Sequence, residues 1–434
     1  MKNLLDKIDN VRALQLFQIV RFGSLLLINI AIVKLGMSST EVGYFETALF
    51  LANVLTFFWV NGAVQSLLPM FPFVSGVKKY AEFFNVSLVL AFLSLLSGGV
   101  GFLFEGLFRQ TQALSNYPLY SLAVLYTMLN GVGLINEYFY LLLNKPIKML
   151  VYGIISFSLQ IVCVLVPAIL GLSVTYMLLG LIAVSVVRII WLCFLLYKHS
   201  LFEVDLSFIK HWARRAIPLS LKHLVGNSGT LIDSLIITTF FSASVFAVYR
   251  YGAKDFPLTL LLANGLSSAM LPLFGRQLNG ALTELRLRSR NLMNWLFPVS
   301  IALLFFAKPL FVLVFSADYE ESALVFMIYI LLISSRLLFP QTVAVGIGKT
   351  GVLLIISVIE LAVNVGLSLL WLKPFGIEGI AMASVVAFML DKILIAAYLY
   401  YKCGISPSQY IPTKTYSFWL VMLFIAYFLA RFAI

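Results

Sequence analysis

The chain has 434 residues, of which 62% are hydrophobic and only 11% are charged, and its mean hydropathy is +1.01. These values lie far from those of soluble globular domains and indicate a membrane protein. The formal net charge of +12 comes from residues spread over many short loops, which excludes a nucleic-acid partner.

Apolar stretches long enough to span a membrane as helices recur along the whole chain. We predict thirteen spans, near residues 12–36, 41–66, 80–106, 115–143, 146–170, 174–197, 212–241, 244–273, 289–315, 320–346, 350–372, 376–401 and 415–433. The predicted fold class is therefore all-α: a polytopic membrane protein with two six-helix lobes and an additional C-terminal helix.

Positive residues are concentrated in alternate connections between the predicted spans. The connections on the side of the N-terminus hold 18 Lys and Arg, whereas those on the opposite side hold 4. Because cytoplasmic loops carry an excess of Lys and Arg, the pattern predicts that the N-terminus lies in the cytoplasm.

A second group of cations falls inside the predicted spans, where a charge is costly and marks a cavity, a partner or a pathway. At 1.5 Å per residue, Arg21, Lys222, Lys254 and Arg336 lie roughly 14–24 Å from the ends of their helices. Arg250 precedes Lys254 by four residues, so both are expected on one side of a single helix. We interpret this helix as the wall of a cationic cavity.

Acidic residues inside the spans offer a structural explanation for the same cations. The candidate acids are Glu46, Glu137, Asp233, Asp255, Glu360 and Asp391. Three of them, Glu46, Asp233 and Asp255, are expected nearest to the five mid-depth cations, which therefore outnumber them. An unpaired charge at that depth needs water or an anionic ligand. Pairing between helices and contact with a substrate both remain open for each of these cations.

Other charges inside the spans favour the structural interpretation. Asp391 adjoins Lys392 in the sequence, and Glu360 lies at a similar depth on the preceding span. We expect these three residues to pair with one another. Arg188 is placed in the same structural class.

The seventh predicted span contains an unusual sequence. Lys222 and Asp233 are separated by about three helical turns and share a face, and two glycines between them, Gly226 and Gly229, weaken the helix. One interpretation is a bendable element whose Asp233 takes up a coupling proton or cation; the other is close helix packing at small residues. Glu46 and Asp255 are further candidates for a coupling-ion site or a gate.

The two halves of the chain are weakly similar. The sequence from Asn61 to Phe71 matches that from Asn264 to Phe274. Because each half has six spans, both halves begin on the same side of the membrane, and the repeat is parallel. We predict an N-terminal lobe at 1–197, a cytoplasmic linker at 198–211, a C-terminal lobe at 212–402 and a C-terminal segment at 403–434.

Two helices carry a resemblance to a known family. The sequence from Glu41-Val-Gly-Tyr44-Phe-Glu46 to Trp59-Val-Asn61-Gly62 resembles the second helix of polysaccharide or O-antigen flippases. Tyr249-Arg250-Tyr251-Gly252-Ala-Lys254-Asp255-Phe-Pro257 resembles their eighth helix, and the likeness extends over roughly residues 10–400. These flippases belong to the MOP (MATE-like) exporter superfamily.

The resemblance implies that two lobes move a lipid-linked oligosaccharide by alternating access. The implied cargo is carried on undecaprenyl pyrophosphate and crosses from the cytoplasmic to the outer leaflet of the bacterial inner membrane, for O-antigen, capsule or exopolysaccharide synthesis. Arg21, Arg250 and Lys254 correspond by position to functional cations of related flippases, and Lys222 and Arg336 join them by depth. Membrane lipids, a polysaccharide polymerase and a chain-length regulator are the implied partners.

The sequence contains no motif of an enzyme site. It lacks a nucleophile elbow and a phosphate-binding glycine loop, and its three cysteines and three histidines lack metal-ligand spacing. We therefore expect no catalysis, no metal and no cofactor. Two alternatives remain: a multidrug or cation-coupled exporter of the same superfamily, which requires an acidic cavity, and a membrane-embedded glycosyltransferase or polymerase, which requires a large extramembrane loop.

Overall fold

A computed structural model describes residues 10–70, 78–110, 119–143, 145–199, 202–226, 228–254, 256–274 and 277–432. Over these residues the chain is almost entirely helical and contains no β-strand. A backbone in lipid must satisfy its own hydrogen bonds, and a helix does so within one segment. The predicted all-α fold class is confirmed.

Contacts within the chain divide it into two compact units, which we call the first unit (Met1–Leu224 with Thr238–Ala247) and the second unit (Val225–Ile237 with Val248–Ile434). The helices up to residue 226 are α1 Asn10–Lys34, α2 Ser39–Met70, α3 Lys78–Leu103, α4 Glu105–Phe108, α5 Tyr120–Gly133, α6 Asn136–Leu142, α7 Pro146–Ile169, α8 Val174–His199 and α9 Leu206–Gly226. The later helices are α10 Ser228–Phe240, α11 Ala243–Gly252, α12 Pro257–Phe274, α13 Leu278–Val314, α14 Glu320–Ile330, α15 Ile333–Arg336, α16 Pro340–Gly346, α17 Thr350–Cys403, α18 Pro407–Tyr410 and α19 Thr413–Phe432, with a 3₁₀ turn at Ala317–Tyr319. The predicted lobes, joined by a linker at 198–211, stay a prediction.

In the described part of the chain, eight helices are long and apolar enough to cross a membrane. They are Leu16–Lys34, Ser39–Val60, Ala81–Leu103, Pro146–Ile169, Val174–His199, Leu278–Val314, Thr350–Cys403 and Thr413–Phe432. A ninth span results if Ala317–Arg336 and Pro340–Gly346, which are bent by 41°, are taken together. The chain is therefore a multi-pass membrane protein.

Each of the thirteen predicted stretches contains helix, but several are interrupted. The fourth is divided between α5 and α6, and the seventh between α9 and α10. The eleventh and twelfth are joined in α17, where Gly376 has the non-helical angles φ 57° and ψ −137° and separates two helical segments. Glycine adopts a positive φ without a side-chain clash, so the chain can turn at this position.

The eighth predicted span differs from the expectation in a way that affects its charges. Helix α11 ends at Gly252, α12 begins at Pro257, and Lys254 lies between them. A Cβ atom at Gly252 would lie 2.3 Å from the carbonyl oxygen of Ser322, and the ring of Pro257 disfavours a helical residue before it. The prediction that Arg250 and Lys254 lie on one side of a continuous helix is therefore wrong.

Aromatic packing in the first unit holds α1 against α7. The Phe17 ring lies 5.4 Å from the Phe157 ring and 6.4 Å from the Tyr152 ring, between centroids. The close approach requires Gly153, because a Cβ atom there would lie 2.5 Å from the Phe17 ring. Small residues allow helices in lipid to approach in this way. The packing also fixes the position of Arg21, one turn further along α1.

Candidate functional site

The first unit contains a polar cavity of about 200 Å³ between α1, α2 and α5. Arg21 contributes a guanidinium group, Asn53 and Asn130 contribute amides, and Thr56 and Tyr126 contribute hydroxyls. The apolar part of the lining is formed by Leu49, Ala52, Phe57, Val60 and Leu134. Convergent polar groups in a mainly helical wall are typical of a ligand site. This set suits a ligand that carries negative charge or many hydroxyl groups.

Arg21 faces a carboxylate as well as the cavity. Its Nη1 atom lies 3.9 Å from Oε1 of Glu137 at the start of α6. The Glu137 side chain is only 5% exposed, whereas that of Arg21 is 38% exposed. The acids expected nearest to the mid-depth cations were Glu46, Asp233 and Asp255, and for Arg21 this expectation is wrong, because helix packing as well as depth decides which charges meet.

Arg188 of α8 lies behind the same cavity. It is buried, and its guanidinium donates hydrogen bonds to Ser156 Oγ at 2.8 Å and to Gln160 Oε1 at 2.7 Å. A third, longer hydrogen bond reaches Asn130 Oδ1 at 3.4 Å, and the guanidinium carbon lies 5.4 Å from the centre of the Phe157 ring. In the described residues, the side chains that accept these hydrogen bonds are neutral. The direct contacts of Arg188 are thus polar and cation–π contacts, and its interaction with an acid is the electrostatic one with Glu137.

In the second unit, Asp233 of α10 is buried among hydroxyl groups. Its Oδ2 atom accepts a hydrogen bond from Ser384 Oγ and lies 3.4 and 3.5 Å from the hydroxyls of Tyr329 and Tyr249. These two hydroxyls are hydrogen-bonded to each other at 2.8 Å, so one of the two tyrosines donates to the carboxylate. Asn364 donates to Ser384 Oγ at 3.1 Å. The other carboxylate oxygen, Oδ1, has no hydrogen-bond partner among the residues that the structure describes. A buried carboxylate in such surroundings can hold a proton or a small cation.

A second charged group in the same unit lies further along α17. Lys392 Nζ lies 2.8 Å from Oδ2 of Asp391 and donates to Gln341 Oε1 at 3.3 Å. Glu360 precedes Asn364 by one helical turn and interacts electrostatically with Asp391 and Lys392. The predicted ion pair between Asp391 and Lys392 is confirmed.

Two of the predicted substrate cations contact aromatic rings in the second unit. The guanidinium carbon of Arg336 lies 4.6 Å from the centre of the Phe388 ring, and Lys254 Nζ lies 5.2 Å from that of Tyr251. Arg336 also lines a small cavity with Thr259. Such cation–π contacts stabilise a positive charge in a site of low polarity.

The remaining predicted site residues have less defined surroundings. Arg250 is half-buried in α11, and Glu46 is buried in α2. Lys222 belongs to α9, but its side chain lies outside the described residues, as does the whole of Asp255. A role for these four residues in binding or coupling stays a prediction.

Comparison with known proteins identifies the family. Residues 107–324, half of the chain, match the family model described as "Polysaccharide biosynthesis protein". The chain belongs to the polysaccharide biosynthesis protein family. The matched region of this polysaccharide biosynthesis protein includes Glu137, Arg188 and Asp233. No curated protein sequence matches the chain significantly.

Solved structures share the fold of this polysaccharide biosynthesis protein. The lipid II flippase MurJ in its inward closed conformation is 17% identical, with a TM-score of 0.69 over 94% of this chain and 92% of that chain. An inward-facing multidrug resistance MATE family transporter of the MOP superfamily is 16% identical, with a TM-score of 0.63 over 87% and 96%. A MOP superfamily transporter from Pyrococcus furiosus, described as having a binding pocket of reverse polarity, is 16% identical, with a TM-score of 0.53 over 90% and 95%. At these identities the likeness establishes the fold.

Proposed function

We propose that this protein is a flippase for undecaprenyl-pyrophosphate-linked oligosaccharide repeat units. It moves them from the cytoplasmic to the outer leaflet of a bacterial inner membrane by alternating access, with its N-terminus in the cytoplasm. The product supplies O-antigen, capsule or exopolysaccharide synthesis, so a polymerase and a chain-length regulator are its functional partners. The protein itself catalyses no covalent step.

The polar cavity of the first unit is the observation that carries this proposal. A lipid-linked saccharide presents phosphate oxygens and sugar hydroxyls to the protein while its tail stays in the bilayer. Arg21 can engage phosphate oxygens through two N–H groups at once, and the amides of Asn53 and Asn130 can hydrogen-bond to hydroxyls. The combination matches the chemistry of the cargo.

Four further cations are proposed to contact the cargo during its passage. A doubly phosphorylated carrier needs positive charge at more than one depth, because each step across the layer of low polarity exposes its phosphates to a new desolvation cost. These residues are Lys222, Arg250, Lys254 and Arg336.

Asp233 is proposed to couple transport to a cation gradient. Its carboxylate is buried, accepts hydrogen bonds from Ser384 and from one of the two tyrosines Tyr249 and Tyr329, and keeps Oδ1 without a hydrogen-bond partner in the described residues. Oxygen ligands of this kind suit a proton or Na⁺. Glu46 and Asp255 are proposed as secondary coupling or gating residues.

Deletion of the gene followed by lipid analysis tests the function. We expect undecaprenyl-linked oligosaccharide to accumulate on the cytoplasmic face, where it stays inaccessible to an enzyme added outside spheroplasts. A plasmid with the wild-type gene should restore its exposure. Unchanged lipid pools in the deletion strain would contradict the proposal.

A cation-coupled multidrug exporter is the second candidate, and the buried carboxylate of Asp233 is the observation that favours it. A cationic drug would bind such an acid, whereas the Arg21 cavity would repel it. Drug susceptibility of the deletion strain separates the two functions. Increased susceptibility with normal lipid pools would favour the exporter.

A further inference from the structure

The interrupted helix α5–α6 forms one wall of the first-unit cavity. Tyr126, Asn130 and Leu134 line the cavity at intervals of four residues, which places them on one helical face. Helix α5 then ends at Gly133, and Glu137 follows in the first turn of α6. The polar wall therefore ends beside a buried carboxylate.

The ion pair between Arg21 and Glu137 is asymmetric. The atoms Arg21 Nη1 and Glu137 Oε1 are 3.9 Å apart, which is longer than a hydrogen bond. Glu137 is almost completely buried, whereas more than a third of the Arg21 side chain is exposed and lines the cavity. An anion that enters the cavity can therefore reach Arg21 without breaking a hydrogen bond between the two side chains.

A second guanidinium, that of Arg188, also acts on this carboxylate. Arg188 is buried, hydrogen-bonds to neutral side chains and interacts electrostatically with Glu137. Two positive charges thus share one negative charge. The group carries a net charge of about +1 while Glu137 is ionised and about +2 when Glu137 is protonated. Such a group favours an anionic ligand in the adjoining cavity.

Arg188 also orients one polar group of the lining. Its Nη1 atom donates to Oδ1 of Asn130, so the Nδ2 atom of Asn130 is directed away from Arg188. Because Asn130 lines the cavity, this amide presents a donor to the ligand, beside the guanidinium of Arg21. Two donors of this kind suit an acceptor group such as a phosphate.

We propose that Glu137 is an internal counter-ion, which holds Arg21 while the cavity is empty and gives it up to the anionic group of the cargo. Glu137 then takes up a proton from water in the cavity, because two anionic groups beside one guanidinium repel each other. Arg188 is a positioning residue, which retains net positive charge and orients Asn130. The inference rests on the proposed function and adds that cargo binding in the first unit is accompanied by proton uptake.

The sign of the pH dependence follows from this exchange. If binding takes up one proton, the affinity falls by up to tenfold for each pH unit. This fall begins above the pH range in which Glu137 is already protonated in the protein with an empty cavity. Charged and titratable side chains approach Glu137 from the neighbouring elements and from its own helix. They are Arg21 of α1, Tyr138 of α6, Tyr152 of α7 and Arg188 of α8. Tyr126 of α5 interacts with the same two arginines. The tyrosines are neutral near pH 7 and the arginines stay charged, so Glu137 is the member of this group whose protonation can change when an anion enters the cavity.

The test is the affinity of the full-length protein in lipid nanodiscs for an undecaprenyl-pyrophosphate-linked saccharide, measured across two pH units around neutrality. Both phosphates of this probe are diesters and keep their charge over this range, whereas a free terminal phosphate would itself titrate. For the wild type, we expect the affinity to fall with rising pH. At the upper end of this pH range, Glu137→Gln should bind the probe more tightly than the wild type, by several-fold or more. Its affinity should no longer depend on pH. Glu105→Gln, which removes the acid of a separate ion pair with Arg109 in the same unit, should keep the wild-type profile.

Three further measurements separate the possible failures. Arg188→Gln should weaken binding at every pH while leaving the slope against pH in place. A pH-indicator dye in weakly buffered solution should report uptake of about one proton per bound wild-type cargo, a readout that needs no variant to fold. If the wild type binds but takes up no proton, or if Glu137→Gln keeps the wild-type slope, Glu137 is not the counter-ion. If the wild type does not bind the undecaprenyl-pyrophosphate-linked saccharide at all, the proposed function itself fails.

Discussion

Replacement of Asp233 by Asn gives the sharpest prediction for the second unit. The change removes the ionisable group and keeps its volume, and the remaining carbonyl oxygen can still accept hydrogen bonds from Ser384, Tyr249 and Tyr329. We therefore expect a loss of stability of about 1 kcal/mol. Asp233→Ala instead leaves the hydroxyl of Ser384 and that of one of the two paired tyrosines without their acceptor. Each donor that finds no other partner costs about 1–3 kcal/mol, so this variant should unfold at a clearly lower temperature.

The effect of Asp233→Asn on transport should be much larger than its effect on stability. One carboxylate binds one monovalent cation, so a tenfold gradient of that cation supplies about 1.4 kcal/mol and supports up to a tenfold excess of cargo in the outer leaflet. Proteoliposomes with an imposed pH or Na⁺ gradient measure this ratio. The wild type should exceed a ratio of one, and Asp233→Asn should stay near one. A gradient-driven excess in the variant equal to that of the wild type would refute the coupling role.

Two further variants test the packing and the charge pairs on which the site depends. Lys392→Met should lower the free energy of unfolding by about 3–5 kcal/mol, because it leaves buried Asp391 without its cation. The double variant Lys392→Met/Asp391→Asn should recover most of this loss in a thermal unfolding assay. A double variant that is no more stable than Lys392→Met would contradict the ion pair. Gly153→Val should cost about 1–3 kcal/mol, because its side chain would collide with the Phe17 ring. Gly99→Val, at a position with no atom within 4 Å of a new Cβ, is the matched control for Gly153→Val, and equal unfolding temperatures of the two variants would count against the packing.

The positions of the helices could be predicted from the sequence, but their interruptions could not. Hydropathy reports whether a segment can enter lipid, and each of the thirteen stretches that it marks contains helix in the structure. At the end of α11, Gly252 packs closely against Ser322, 70 residues later in the chain. No local pattern reveals such a contact, so Arg250 and Lys254 were assigned to one continuous helix.

For the candidate site as well, local sequence features could be predicted, whereas contacts between residues distant in the chain could not. The depth of Arg21 within an apolar span singled it out, and the structure places it at a cavity. Its partner Glu137 lies on a helix that the sequence does not place beside α1. The tyrosines that donate to Asp233 lie 16 and 96 residues away in the chain, so Asp233 could be nominated as a coupling residue but its surroundings could not be described. The sharing of Glu137 between Arg21 and Arg188 likewise needed the packed structure.

Transport of a fluorescent undecaprenyl-pyrophosphate-linked saccharide by reconstituted protein tests the central claim most directly. The probe in the outer leaflet of proteoliposomes is detected by quenching with dithionite, and the initial rate is compared between the wild type, Arg21→Gln and the control Arg109→Gln, whose arginine pairs with Glu105. We expect transport by the wild type and by Arg109→Gln, and a loss of at least about tenfold in Arg21→Gln, equivalent to about 1.4 kcal/mol of binding to the phosphates. Transport by Arg21→Gln at the wild-type rate would contradict the role of the first-unit cavity in carrying the lipid-linked cargo.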